Sequence, residues 1–134
     1  MRTFNRRKLL GRLILLPVGP LLAAGCANPQ KQAAMRAKIQ FDLEALNEDG
    51  LIGPPDGLRA VDYEFCIPAN PEYLTEVQLI DPSVVMMRDS QGRVGCAPDE
   101  WLCLGNTHQT DAQGVLLRLA QLPYVYVIRP CFWE

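Results

Sequence analysis

From Val61 to Ile67 the chain alternates. Val61, Tyr63, Phe65 and Ile67 are large and apolar; Asp62, Glu64 and Cys66 stand between them. Period two marks a strand with one buried face, and Pro68 stops it. A helix signal follows at once. Asn70 suits an N-cap, Pro71 the first helical position and Glu72 the first turn. Tyr73, Val77 and Ile80 then recur on one helical face, and Asp81-Pro82 ends the run, because a residue before proline avoids the α region. Leu58 opens this patterned part of the chain.

The second half repeats the plan. Ser83–Met87 reads as a short strand, Asp89-Ser90-Gln91-Gly92 as a turn, and Arg93–Glu100 as a loop or hairpin end. Trp101–Leu104 reads as a strand. Thr110-Asp111-Ala112-Gln113 fits a capping box with Thr110 as cap. Val115, Leu116, Leu119 and Leu122 line the helix after it, with Gly114 in its first turn at some cost to propensity. Pro123 breaks that helix, and Tyr124–Ile128 reads as a final strand. Strand, helix, strand, strand, helix, strand is the βαββαβ order of a ferredoxin-like two-layer α+β sandwich. The expected organisation is a signal peptide over 1–25, a tether and helical arm over 26–57, and a small α+β domain over 58–134. In the arm, Gln30–Asn47 has helical composition, Phe41 suits a strand equally well, and Gly53-Pro54-Pro55-Asp56-Gly57 is a strong turn.

Charge divides the chain. Residues 1–25 hold five basic residues and no acid, whereas the rest holds eight basic residues against fifteen acidic ones. An acidic body argues against a nucleic-acid partner, which needs clustered Lys and Arg. The 49% hydrophobic content excludes general disorder.

The N-terminal segment has the layout of a secretory signal peptide: a basic stretch to Lys8, an apolar run to Ala24, then small residues before Cys26. The apolar run is short for a membrane span, and Arg12, Pro17 and Pro20 interrupt it. Leu22-Ala23-Ala24-Gly25-Cys26 resembles the lipobox of bacterial lipoproteins. That family prefers Leu where Ala23 stands, and here Leu22 is one position earlier. The resemblance implies diacylglycerol on the Cys26 sulfur, cleavage just before it, and a lipid-anchored protein on the periplasmic side of a bacterial envelope, with palmitate among its acyl chains. Asn5-Arg6-Arg7-Lys8-Leu9-Leu10 resembles a twin-arginine export motif, whose substrates fold before export.

Four further cysteines, Cys66, Cys96, Cys103 and Cys131, suit disulfides in an exported domain, with three pairings open. On the sandwich plan Cys66 faces the open side of the sheet with Asp62 and Glu64, both expected as solvated charges. Leu102 and Leu104 face inward, leaving Trp101 and Cys103 on the open side. Cys131 should lie at the opposite end, an awkward set for two bonds unless one thiol is free. Alternatively, Cys96, Cys103 and His108 could bind zinc with Cys66 or Cys131 as the fourth ligand, or the site of Cys66, Cys96, Cys103 and His108 could hold a reactive thiol, although no tight Cys-x2-Cys hook is present. Asn106, His108 and Thr110 lie in a polar loop that can hold a small ligand on backbone amides or simply turn the chain. No cofactor motif or nucleophile elbow is evident. The expected role is non-enzymatic, with a protein partner at the open sheet face or at Trp133.

Overall fold

The computed structural model describes residues 28–132. The signal peptide and Cys26, like Trp133, lie outside the described residues. The alternating segment forms β3 (Asp62–Pro68), the centre of a four-stranded antiparallel sheet. Its neighbours are β5 (Glu100–Asn106) on one side and the short β6 (Arg129–Pro130) on the other; β4 (Val85–Met87) pairs with β5 and forms an edge. The strand order is therefore β4-β5-β3-β6. With α1 (Pro29–Ala37), α2 (Pro71–Ile80) and α3 (Ala112–Gln121), and a small hairpin of β1 (Leu51–Ile52) and β2 (Arg59–Ala60), the fold is mixed α+β with two antiparallel sheets. Among the described residues no helix is long and apolar enough to cross a membrane.

Tyr63, Phe65 and Ile67 are fully buried, as the alternation predicts. Val77 of α2 and Val115, Leu116 and Leu119 of α3 complete the core with them. Asn70 caps α2, its side chain accepting from the Glu72 amide at 2.9 Å, and Pro71 opens the helix. Pro71 has no amide to leave unsatisfied in that first turn.

The face of β5 is the reverse of the expected one. The register sets Phe65 opposite Cys103 and Ile67 opposite Trp101, so Cys103 and Trp101 share the inner face. Cys103 is fully buried in the core. Leu102 and Leu104 point to the outer face with Glu64 and Cys66. The reason lies at Gly105, opposite Tyr63. A Cβ there would come within 2.4 Å of the tyrosine ring, so the inner position beside Tyr63 must stay empty of side chain. A one-residue shift would bring Leu104 or Asn106 against that ring and move every side chain to the other face.

Two other expectations fail in the last third. Tyr124–Ile128 forms no strand. Val125 and Ile128 are fully buried, and Ile128 bonds Lys38 and Gln40 through its amide and carbonyl rather than joining the sheet. The strand begins only at Arg129, once the chain has reached β3. The helix cap is also different. Asp111, at φ 55°, caps α3 and accepts from the Gly114 amide. Thr110 is exposed, and the Gln113 amide donates to the Leu46 carbonyl at 3.2 Å instead of returning to Thr110.

The helical composition of 30–47 resolves into α1 and a 3-10 turn at Leu43–Ala45. Ile39, Leu43 and Leu46 enter the same core as the sheet, and the Lys38 ammonium donates to the carbonyls of Ala120 and Leu122 at the end of α3. That contact places a cation at a helix C-terminus, where unsatisfied carbonyls favour it. The predicted turn at Gly53–Gly57 joins β1 to β2.

The cap assignment predicts a contrast. Asp111→Ala should destabilise the domain by about 1 kcal/mol, as loss of a capping oxygen generally does. Thr110→Ala should stay within roughly 0.5 kcal/mol, as for an exposed residue without such a role. Urea unfolding of the two variants measures this, and equal losses would return the cap to Thr110.

Candidate functional site

Among the described residues, no helix lies on the outer face of the sheet. The connection from Arg88 to Asp99 folds back across it instead. Several contacts hold it there. Cys66 on β3 is bonded to Cys96, across a sequence separation of 30. The Val94 amide donates to the Glu64 carboxylate at 2.6 Å. Arg129 donates to the Arg93 carbonyl at 3.0 Å. Gly92, at φ +64°, sits so close to Leu102 that a Cβ would lie 2.7 Å from its methyl. Leu102 and Glu64 are each only 3% exposed as a result. Glu64 is thus a buried carboxylate and not the solvated charge that its place on an open sheet face suggests. Burying a carboxylate requires hydrogen bonding in return, and the Val94 amide supplies it.

Beside this connection lies a cleft of about 850 Å³. Glu64 lines it with Met87 and Leu104 of the sheet, Gly92 and Arg93 of the connection, and Cys131 and Phe132 of the C-terminal tail. A second hollow of about 500 Å³, lined by Phe41, Ile52, Val61 and Pro130, shares Cys131 and Phe132 with the first. The Cys131 thiol is pushed above its ordinary pKa, first by burial and then by the carboxylates of Glu64 and Asp62, with Arg93 opposing. A thiol held protonated is a weak nucleophile. The cleft therefore suits non-covalent contact with a partly apolar group better than thiol chemistry.

The remaining cysteine sits elsewhere. Cys103 is buried on the inner face, and its thiol pKa is pushed up to about 12 by burial and then by the Asp81 carboxylate. Among the described residues one bond forms, and Cys103 and Cys131 carry free thiols. The zinc set is not assembled. Cys66 and Cys96 are joined to each other, Cys103 lies on the opposite face of the sheet, and His108 is exposed. Among the described residues no group of three or more His, Cys, Asp and Glu is placed to hold a metal ion. Cys131 lies at the start of β3, where its amide donates to the Asp62 carbonyl, far along the strand from Cys66.

The polar loop after β5 turns the chain through internal bonds. The Asn106 amide group donates to Asp62 at 2.6 Å, and its side-chain oxygen accepts from the His108 amide at 2.8 Å. His108 and Thr110 point into solvent. The hydroxyl of Thr107, the buried member, donates to the Gly50 carbonyl and accepts from the Val61 amide. Gln109 donates to Asp81 and to the Asn106 carbonyl. Asp81 is fully buried, and its carboxylate also accepts from the Tyr63 hydroxyl, the Ser83 hydroxyl and the Ser83 amide.

Sequence reasoning missed this network and the folded-back connection. Asp81-Pro82-Ser83 carries the Asx-turn signal for the first, since an Asp side chain commonly bonds the backbone two residues on. For the second, the signal was a long connection with a cysteine inside it.

Comparison with protein-family models, with curated proteins and with solved structures finds no match.

Burial of Cys103 has a consequence for alkaline stability. The unfolded thiol ionises near its ordinary 9.0, the folded one only near 12. Above about pH 9 the unfolded chain sheds a proton that the native chain keeps, so stability falls as pH rises towards 12. Tyr63, also held protonated by burial and by Asp81, adds to the fall above its ordinary 10.0. Cys103→Ala should give a shallower alkaline descent in the urea midpoint; an unchanged slope would contradict the assignment.

Proposed function

We propose that this chain is an exported bacterial lipoprotein, anchored at Cys26, whose small disulfide-bonded domain serves a protein-interaction role at the periplasmic side of the envelope. The observation that carries this reading is the Cys66–Cys96 bond. Disulfides persist in oxidising compartments and are rare in the cytosol, so the bond agrees with the compartment that the signal peptide and lipobox imply. The two features are independent, one lying in the leader and the other within the folded domain.

The interaction reading rests on the outer face. Met87 and Phe132, which line the cleft, are 42% and 66% exposed, and Val85, paired with Leu104 on the same edge strand as Met87, is 59% exposed. Apolar side chains grouped about a hollow and rimmed by charge are the usual make of a contact surface. Trp101, which the alternation assigned to this face, lies on the other one, half-buried, with the Arg88 guanidinium 5.3 Å from its ring centre. The aromatic contact at the partner face would then come from Phe132 in place of Trp101.

The domain itself we infer to be a ferredoxin-like unit. The support is the strand order β4-β5-β3-β6, in which the split βαβ halves interleave, with α2 and α3 contributing to one core.

Metabolic labelling with palmitate, followed by intact mass of the membrane-extracted protein, tests the reading. The mature chain should begin at Cys26 with a diacylglycerol adduct, and should gain the mass of two hydrogens on reduction. Cys26→Ser should lose the label and accumulate uncleaved. A mature chain of the wild type without lipid would overturn the anchor, and a chain isolated fully reduced would overturn the compartment.

A further inference from the structure

We propose that the segment Arg88–Asp99 is a redox-sensitive strap: with Cys66 and Cys96 joined it closes over the outer face of the sheet, and reduction by a dithiol opens it while the rest of the domain stays folded. This goes beyond the anchoring and partner reading and holds whether or not Cys26 carries lipid.

The ends of the strap are fixed without the disulfide. On one side β4 pairs with β5 through Val85–Leu104 and Met87–Leu102. On the other, β5 pairs with β3 as far as Pro68–Glu100, and the Ala69 amide donates to the Asp99 carbonyl at 2.9 Å. The core lies on the opposite face and includes no residue between Arg88 and Asp99. Opening the strap thus leaves helices, strands and core in place.

The middle of the strap lies outside the apolar core. Asp89, Ser90, Gln91, Arg93 and Gly95 are exposed. Besides the disulfide, the Val94–Glu64 and Arg93–Arg129 hydrogen bonds and the seat of Gly92 on Leu102 link it to the sheet. The Arg93–Arg129 bond is exposed and contributes little net stability, the Val94–Glu64 bond is the stronger non-covalent hold, and a segment outside the apolar core can open below the global unfolding free energy. Once open, the strap uncovers Leu102 and the Glu64 carboxylate and widens the cleft beside Met87 and Leu104.

The chemistry balances with a dithiol alone. One thiolate of the reductant attacks the Cys66 sulfur, which is half-buried where Cys96 is 4% exposed. A mixed disulfide forms, and Cys96 leaves as thiolate and takes up a proton. The second thiol of the reductant then displaces Cys66, which is protonated in turn. Two electrons pass to the protein sulfurs, and the dithiol ends as a cyclic disulfide.

Native-state trypsin digestion of the full chain, oxidised and after dithiothreitol reduction and alkylation, tests the proposal. Arg88 and Arg93 report the strap, and Arg118 within α3 reports the domain. Reduction should accelerate cleavage after Arg93 about tenfold or more and leave Arg118 unchanged, as expected when local opening governs proteolysis. Amide exchange in β3 and β5 should stay slow. The double variant C66S/C96S should cleave like the reduced protein. Unchanged cleavage after Arg93 would overturn the proposal, because the strap would be closed without the bond. Equal acceleration at Arg118 would also overturn it, because the bond would then hold the whole domain.

Discussion

Tyr63 is the residue through which the parts of this domain meet. Its ring stacks between Phe41 of the N-terminal arm and Phe65 of its own strand, with centroids 6.3 and 6.4 Å away. The ring also occupies the place that a side chain at position 105 would take. Its hydroxyl donates to Asp81, just past the end of α2. Asp81 in turn gathers Ser83 and Gln109, from the segments before β4 and after β5. One buried aromatic thereby sets the register of β5, docks the arm and closes the end of a helix. Its hydroxyl has to find a partner once buried, and the carboxylate that it finds also accepts from the Ser83 amide and hydroxyl and from the Gln109 side-chain amide. The cost of that buried charge is offset by several neutral donors converging on it.

The two faces of the sheet are finished by different means. Helices cover the inner face, and their apolar rows fill it. Among the described residues the outer face is crossed by a loop, which is too short and too polar to make a second core. A covalent bond and a buried carboxylate take the place of apolar packing there. A disulfide across a separation of 30 residues lowers the entropy of the unfolded chain by an amount worth about 3 to 4 kcal/mol in the chain-entropy model, a large share for a small domain. The same arrangement leaves apolar side chains of β4 and the tail exposed beside a hollow. Apolar packing on the inner face and exposed apolar side chains on the outer face are therefore separable properties of one sheet.

Local signals in the sequence were read well where they act locally. The alternation from Val61 to Ile67, the Asn70-Pro71 helix start and the apolar row of Val115, Leu116 and Leu119 each describe an interaction within one element. The errors fell where a partner from far along the chain decides. Leu102 reads as a core residue by size, yet it is buried by Gly92 on the outer face. Tyr124–Ile128 reads as a strand by composition, yet Lys38 and Gln40 bind Ile128 away from the sheet. Thr110 reads as the cap, yet Asp111 caps the helix and the Gln113 side chain reaches Leu46 instead.

The sequence by itself determined the apolar periodicities and the turns and caps to within a residue, because each depends on neighbours a few positions apart. Tertiary structure decided which face of β5 is buried, which two of four cysteines are joined, and whether Glu64 is solvated. Those outcomes depend on the register between β3 and β5 and on the path of the connection over the sheet. Register is a relation between distant segments, set here by a ring that needs a glycine opposite it, and no local pattern in either strand encodes that fit.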